Sequence, residues 1–241
     1  MKRSRKHSEK QTKKQSAKHT RINQSILGAL EKRLLIWMAA RMPAWVNPDM
    51  LTGLGLLGSV IIFAGYLLTT IDVRFMWLAS FGFVLNWFGD SLDGTLARVR
   101  KIERPRYGYF IDHVVDTLAE VLVFVGVGLS PYVNLTLALL TLIGYLMVSN
   151  FVFIVTYVSG EFRISYAKLG PTEIRIIAIL TNTVMLMVGF KKYTLPFGSF
   201  TFYDLVMMGL IGLFYIGFIV IVLLKGHQLS NEDTLAQQDK K

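Results

Sequence analysis

Four aspartates lie at the adjoining ends of two apolar segments: Asp90, Asp93, Asp112 and Asp116. Their spacings of three and four place each pair on one face of a helix, and the two pairs converge if the helices are antiparallel neighbours. Like charges about 4 Å apart repel by roughly 4 kcal/mol at an effective dielectric of about 20. A hard divalent cation would offset that repulsion, and an all-oxygen site suits Mg²⁺, Mn²⁺ or Ca²⁺. The pattern therefore predicts a metal site that binds a phosphorylated substrate.

The composition predicts an integral membrane protein. Of the 241 residues, 53% are hydrophobic, and the mean hydropathy is +0.46. Apolar runs of roughly 18 residues or more, long enough to cross a bilayer, recur between Leu51 and Leu224. The chain has no cysteine, which excludes disulfides, thiol catalysis and cysteine-ligated zinc. The net charge of +10 is concentrated near the N-terminus, and its expected partner is an anionic membrane surface rather than nucleic acid.

The N-terminal region divides into two parts. Residues 1–23 are rich in Lys, Arg, Ser and Gln, and we predict a disordered cytoplasmic tail that is not a signal peptide. Residues 24–46 are predicted to contain an amphipathic helix at the membrane interface. Its apolar positions recur at helical spacing: Ile26, Leu27, Leu30, Leu34, Leu35 and Met38. A solvated helix packed on a partner is the alternative.

Six membrane spans are predicted within residues 47–226, the expected catalytic domain, and residues 227–241 are predicted to be a cytoplasmic tail. The spans are Leu51–Leu68, Phe75–Leu96, Gly108–Leu129, Tyr132–Tyr157, Ile174–Phe190 and Leu205–Leu224. With a cytoplasmic N-terminus, only Arg74, Lys191 and Lys192 among the loop cations lie outside. This asymmetry predicts an all-α, multi-pass protein of the cytoplasmic (inner) membrane, with both termini and the aspartates on the cytoplasmic side.

Small residues accompany the aspartates. Gly94 and Ala97 share a helical stripe with the first pair, and Gly108 precedes the second pair. Small side chains beside a carboxylate cluster let a bulky phosphorylated ligand approach the backbone. Alternatively, they let membrane helices pack closely.

Together these residues make a composite pattern, D-x2-D-G-x2-A-R followed by G-x3-D-x3-D. The sequence matches every fixed position, with Asp90, Asp93, Gly94, Ala97, Arg98, Gly108, Asp112 and Asp116. In this pattern the chain resembles the CDP-alcohol phosphotransferase family, transferases of substituted phosphate groups. The resemblance implies a six-span bundle with an N-terminal interfacial helix, usually homodimeric.

The resemblance also implies roles for individual residues. Two Mg²⁺ or Mn²⁺ ions would be bound by the first three aspartates, with Asp116 as general base within the same ligand set. The CDP group would contact Asp90, Gly94, Ala97, Arg98 and Gly108, together with Pro48 and Thr52 before the first span. Arg98 has an alternative role as a positively charged anchor at the cytoplasmic helix end.

Candidates for the acceptor site are more varied. Lys168 and Arg175 flank the start of the fifth span, and we expect them to bind the acceptor's polar head, with topology anchoring as the alternative. Glu120 continues the stripe of the second aspartate pair, either as an acceptor contact or as a hydrogen-bonded structural acid. His113 follows Asp112, as in choline and ethanolamine phosphotransferases, or is a packing residue.

The expected reaction moves a phosphatidyl group from CDP-diacylglycerol to the hydroxyl of a small polar acceptor and releases CMP. Glycerol phosphate, inositol or its phosphate, and serine are the acceptor classes considered. The alternative transfers a CDP-linked choline- or ethanolamine-type head group to diacylglycerol. Two interpretations from other classes are a divalent-cation or proton-coupled transporter, because intramembrane carboxylates mark ion pathways, and a membrane scaffold.

Overall fold

The computed structural model describes residues 28–159, 171–189, 191–196 and 198–238. The predicted tail 1–23, the first residues of the predicted interfacial helix and Lys168 lie outside these ranges. The described chain is all-α apart from one β-hairpin. Its elements are α1 (Gly28–Arg41), α2 (Pro48–Leu68), a 3₁₀ turn (Val73–Phe75), α3 (Met76–Arg100), α4 (Pro105–Leu129), α5 (Leu135–Ser159), α6 (Pro171–Val188), β1 (Lys192–Leu195), β2 (Gly198–Thr201) and α7 (Phe202–Gln238).

Local signals explain why several helices begin before the predicted spans. The Asn47 side chain caps α2 by accepting a hydrogen bond from the Met50 amide at 2.9 Å, and Pro48 occupies the first turn. Pro105 likewise starts α4. Helix α3 continues past the predicted Leu96 and ends where Lys101 adopts a left-handed conformation with φ of 57°. Arg98 and Arg100, which follow the predicted second span, therefore belong to the last turn of α3.

Glycines allow α2 and α3 to pack with their backbones in contact. A Cβ added to Gly65 would lie 2.5 Å from the Ala79 nitrogen, and one added to Gly82 would lie 2.7 Å from the Ile62 nitrogen. The contact continues toward the aspartates, where the Asn86 amide donates to the Gly55 carbonyl at 3.0 Å. Larger residues would separate the helices. This close contact fixes the aspartates of α3 relative to α2.

The N-terminal helix packs on the same end of α3 as the aspartates. An apolar cluster joins α1, the following loop, α2 and α3 through Leu35, Ala39, Val46, Leu51, Leu92 and Leu96. The Arg100 guanidinium also donates to loop carbonyls, including those of Met42 at 3.0 Å and Pro43 at 2.8 Å. The α1 helix is therefore a packed part of the bundle.

Three described helices are long and apolar enough to cross a membrane: Pro48–Leu68, Leu135–Val158 and Phe202–Leu235. Helices α3, α4 and α6 are less apolar because they carry ionisable residues, among them Asp90, Asp116 and Arg175. Length and composition thus identify three candidate spans in the described chain. The prediction of six membrane spans and the prediction that α1 lies at the membrane interface stay predictions.

Two regions differ from the sequence-based expectations. The segment expected to be a plain connector before the last span forms an antiparallel hairpin, in which Lys192 pairs with Thr201 and Leu195 with Gly198. Helix α7 continues through most of the expected tail to Gln238. The tail extends the helix because no proline follows the apolar segment and polar side chains pair one turn apart, as Gln228 does with Glu232 at 2.7 Å.

Candidate functional site

A cleft opens where α2, α3 and α4 meet, and it contains three of the four predicted aspartates. Carboxylate oxygens of Asp90, Asp112 and Asp116 lie within 4.8 Å of one another. The cleft is lined by Thr52, Gly55, Asn86, Asp90, Asp112, Val115, Asp116 and Ala119. Helix α2 packs against both α3 and α4, and this shared contact brings the oxygens together.

The fourth aspartate, Asp93, is turned toward α2. Its Oδ2 accepts a hydrogen bond from the Thr52 hydroxyl at 2.6 Å, and its Oδ1 accepts one from the Gly94 amide. Thr52 also lines the cleft, so the predicted Thr52 and Asp93 form one unit at its edge. Asp93 itself is outside the group of three converging carboxylates.

Arg175 on α6 pairs with the aspartate cluster. Its Nη2 donates to Oδ2 of Asp90 at 2.7 Å, and only 15% of the Arg175 side chain is exposed. A guanidinium so little exposed, beside a carboxylate, forms a stronger pair than a surface ion pair, because water screens it less. The structure therefore places this predicted acceptor residue directly beside the aspartates.

The residues fit a hard divalent cation. Three converging carboxylate oxygens make the donor set that Mg²⁺ and Mn²⁺ prefer. Gly94 and Gly108 have no side chain that would hinder a bulky ligand beside the cation. A Cβ added to Gly94 would contact only the flexible Arg98 side chain, at 3.3 Å, and one added to Gly108 would have no atom within 4 Å. Neither glycine is required for helix packing.

The comparisons with known proteins agree with this geometry. Residues 45–224 match the family described as CDP-alcohol phosphatidyltransferase. The chain belongs to this family. The match includes α2 to α6 and the first part of α7, and so contains every element that forms the cleft.

Individual relatives within the CDP-alcohol phosphatidyltransferase family are moderately similar. Cholinephosphotransferase 1 of Danio rerio is 29% identical over 190 residues, covering 73% of this chain and 48% of that protein. Cholinephosphotransferase 1 of Bos taurus is 28% identical over 188 residues, covering 73% and 45%. Phosphatidylinositol phosphate synthase of Cutibacterium acnes is 33% identical over 91 residues, covering 37% and 41%. The chain spans about half the length of the relatives it matches.

The family pattern also contains residues that lie near the cleft without lining it. The exposed Arg98 donates to the Thr95 hydroxyl at 3.0 Å, and Ala97 lies beside it on α3. Pro48 accepts from the Thr52 hydroxyl through its carbonyl at 3.2 Å. Pro48 begins α2, and Ala97 and Arg98 lie in the last turn of α3. Their predicted contact with a nucleotide stays a prediction.

The remaining acceptor candidates separate in the structure. His113 is directed toward α5: its Nδ1 lies 2.7 Å from the Tyr109 carbonyl oxygen, and its ring packs against Phe153 with a centroid distance of 5.1 Å. Those contacts are typical of the packing role. Glu120 lies deeper along α4, close to Tyr145 and to the charge of Arg175. Both proposed roles of Glu120 stay open.

Sequence reasoning missed two parts of the site environment. Tyr145 on α5 approaches Glu120, yet nothing in its own segment distinguishes it from other apolar residues. Glu31 on α1 accepts hydrogen bonds from Trp87 and Thr172, which are 56 and 141 residues away. Contacts at such separations leave no periodic signal in the sequence.

Proposed function

We propose that this protein transfers a phosphatidyl group from CDP-diacylglycerol to the hydroxyl of a small polar acceptor and releases CMP. The observation that carries the proposal is the convergence of Asp90, Asp112 and Asp116 in one cleft. Membership of the CDP-alcohol phosphatidyltransferase family supports the reaction type. The acceptor oxygen would form a bond to the phosphorus carrying the lipid alcohol, and the bond from that phosphorus to the CMP oxygen would break.

Asp116 is the proposed general base. It shares the cleft with the proposed metal ligands but lies one helical turn deeper along α4 than Asp112. A carboxylate there can accept the proton of an incoming hydroxyl while the donor diphosphate occupies the outer part of the cleft. The proton would move to the Asp116 carboxylate as the new phosphoester bond forms.

We further propose that the aspartates hold two Mg²⁺ or Mn²⁺ ions, with Asp90, Asp93 and Asp112 as principal ligands and Asp116 within the ligand set. Such ions would withdraw charge from the phosphoryl oxygens and stabilise the leaving CMP. The Thr52 hydroxyl would keep Asp93 oriented at the edge of the cleft. Gly94, Ala97, Arg98 and Gly108, with Pro48, would border the nucleotide.

Arg175 supports an acceptor that bears negative charge. A little-exposed guanidinium beside the cleft can form two parallel hydrogen bonds to a phosphate. Glycerol phosphate and inositol phosphate carry such a group, whereas inositol does not. The predicted participation of Lys168 and Glu120 in acceptor binding belongs to the same proposal.

The proposed topology has six spans, cytoplasmic termini and a cytoplasmic site in the inner membrane. Exposed apolar residues on α1 support its location at the interface: Leu30, Leu34, Ile36 and Trp37. The distribution of Lys and Arg supports the orientation. A homodimer is expected from the family resemblance alone, and cross-linking in native membranes tests it.

A second candidate transfers a CDP-linked choline- or ethanolamine-type head group to diacylglycerol. It is favoured by the cholinephosphotransferases among the relatives, whose matches extend over 73% of this chain. It uses the same aspartates and exchanges only the alcohols on the donor and the acceptor. The two candidates therefore differ in substrate and share their chemistry.

CMP release by the purified protein tests both candidates. The assay combines Mg²⁺ or Mn²⁺ with CDP-diacylglycerol and a panel of acceptors, and separately with CDP-choline or CDP-ethanolamine and diacylglycerol. Release that depends on one acceptor and is lost in Asp116→Asn identifies the reaction. Release only from a CDP-linked head group would replace the first candidate with the second. Failure of every pair, despite Mn²⁺ binding to the folded protein, would contradict both and favour the transporter.

A further inference from the structure

Glu31 forms a polar junction between three helices. Its Oε1 accepts hydrogen bonds from Trp87 Nε1 at 2.8 Å and from the Thr172 hydroxyl at 2.6 Å, with the Ser91 hydroxyl at 3.5 Å. Trp87 and Ser91 belong to α3, and Thr172 belongs to the first turn of α6. One carboxylate oxygen of α1 thus connects α3 to the beginning of α6.

The junction leads directly to the aspartate cluster. Thr172 lies three residues before Arg175, so both side chains lie on the same side of α6. Arg175 contacts Asp90, which is adjacent to Ser91, the third residue near Glu31. The contacts form a closed ring from Glu31 through α6 to the cluster and back along α3.

Helix α1 can act as the fixed side of this ring. Leu35 and Ala39 of α1 are buried in one cluster with Leu92 and Leu96 of α3, which lie two and six residues beyond Asp90. Helix α6 begins at Pro171, its main described helix contact is with α3, and its first turn contains Thr172 and the buried Glu173. The bond from Thr172 to Glu31 is therefore well placed to set the position of that turn.

We propose that Glu31 is a positioning residue that holds the first turn of α6, so that the Arg175 guanidinium stays on Asp90. The identity of Asp90 as a metal ligand rests on the proposed function. The positioning itself concerns only the ring of contacts. Its consequence is that a change at α1 alters the affinity of the cluster for cations.

The sign of that consequence distinguishes positioning from a simple charge effect. Arg175 competes with a divalent cation for Asp90, and its positive charge repels the cation. Releasing Arg175 from Asp90 therefore tightens cation binding. Removing the negative charge of Glu31 without moving Arg175 would instead weaken cation binding, because a neighbouring negative charge attracts a cation.

The test is the affinity of the purified full chain for Mn²⁺, measured by calorimetry or electron paramagnetic resonance without substrate. We expect Arg175→Ala to tighten Mn²⁺ binding about tenfold by removing a like charge. Thr172→Val removes the hydroxyl without changing charge, and we expect it to tighten binding about fivefold, at the low end of site-to-site couplings. Glu31→Ala should also tighten binding. Adding Thr172→Val or Glu31→Ala to Arg175→Ala should not tighten Mn²⁺ binding beyond that of Arg175→Ala alone.

Two conservative variants are the controls. Thr172→Ser keeps the hydroxyl and should bind Mn²⁺ like the wild type. Glu31→Gln keeps an acceptor oxygen for Trp87 and Thr172 but loses the charge, so it should bind Mn²⁺ equally or more weakly. Thermal unfolding of each variant confirms that the affinities are compared between folded proteins.

Three results would overturn the proposal. The first is unchanged or weaker Mn²⁺ binding in Thr172→Val. The second is that Thr172→Val tightens Mn²⁺ binding equally in the wild type and in Arg175→Ala. The third is that Arg175→Ala itself does not tighten Mn²⁺ binding. The proposed function fails separately, through absence of CMP release from every substrate pair. A protein without transferase activity that shows the expected Mn²⁺ series would retain the positioning role of Glu31.

Discussion

Among the polar centres of the described residues, the one around Asn182 and the one in the cleft are built in opposite ways. Around the fully buried Asn182, hydrogen-bond donors meet acceptors. The Tyr66 and Tyr203 hydroxyls donate to its Oδ1 at 2.9 and 3.0 Å, and its Nδ2 donates to the Ser80 hydroxyl at 3.1 Å. In the cleft, three carboxylates converge on one another. Ser80 and Asp90 are ten residues apart on α3, about 15 Å along a helix.

The difference separates polar groups that hold the bundle from polar groups that we propose perform chemistry. The Asn182 centre joins α2, α3, α6 and α7 through hydrogen bonds between neutral groups, an arrangement that stabilises helices in a membrane. Converging carboxylates destabilise the protein unless a cation binds. Under the proposed function these carboxylates bind metal, so changes at the two centres should affect different measurements.

Asp116→Asn should give the largest effect on turnover. Loss of a general base typically lowers kcat by about 10³-fold, and removing one of three converging charges should leave the melting temperature unchanged or raised. Steady-state CMP release and thermal unfolding in the same detergent measure the two effects.

Asp204→Asn is the matched control. Both oxygens of Asp204 accept backbone amide hydrogen bonds, from Asn134 at 2.8 Å and from Thr201 at 2.9 Å. The amide side chain can accept through only one oxygen, so this variant should lose stability and keep kcat. Equal losses of kcat in Asp116→Asn and Asp204→Asn would contradict the distinction between the two centres.

Gly58→Ala and Gly108→Ala should separate packing glycines from site glycines. A Cβ on Gly58 would lie 2.8 Å from the Asn86 Cα, whereas one on Gly108 would have no atom within 4 Å. Forcing α2 from α3 should destabilise Gly58→Ala by about 3 kcal/mol. Gly108→Ala should keep its stability and raise the KM for the CDP donor. Unfolding curves and donor titrations test the pair, and an unchanged donor KM in Gly108→Ala would count against a ligand beside that glycine.

Asn182→Leu should lower stability without selective loss of activity. Three hydrogen bonds of about 0.6 kcal/mol each within a membrane bundle give an expected loss of about 2 kcal/mol. Well below the melting temperature, kcat and the metal requirement should match the wild type. A kcat that falls as far as in Asp116→Asn would mean that the Asn182 centre also serves the chemistry.

Asp72→Asn should give the smallest effect. The Arg74 side chain, bonded to this exposed carboxylate at 2.7 Å, lowers the pKa of Asp72 to about 2. A lowered pKa stabilises the fold above the pKa of the unfolded chain and loses this effect as the pH falls toward 2. The difference between the melting temperatures of the wild type and the variant should be small and constant between pH 5 and pH 8. A large difference would show that Asp72 has a structural role beyond its exposed pair.

The sequence was most informative where function imposes a short-range pattern. The spacing of Asp90, Asp93, Asp112 and Asp116 predicted their shared helix faces, and the structure brings three of them together. It was less informative about Asp93, because Thr52, its partner 41 residues away, has no periodic relation to it. Hydrophobic runs predicted the helices, while caps such as Asn47 moved their boundaries.

The family assignment was also predictable, because residues 45–224 match the family that the composite pattern indicated. The hairpin and the length of α7 were not predicted, since local pairing and the absence of a helix stop determine them. The Glu31 junction was missed because it depends on how α1 packs on α3, which a single sequence does not encode as a pattern.

The most direct test of the central claim is the change in melting temperature on adding Mn²⁺ to the wild type, Asp112→Asn and Asn182→Leu. A ligand at 100 times its Kd stabilises the folded state by about 2.7 kcal/mol. We predict that Mn²⁺ raises the melting temperature of the wild type and of Asn182→Leu by similar amounts, and that Asp112→Asn loses this increase. An increase that persists in Asp112→Asn, or no increase in the wild type, would contradict a metal site at the aspartate cleft.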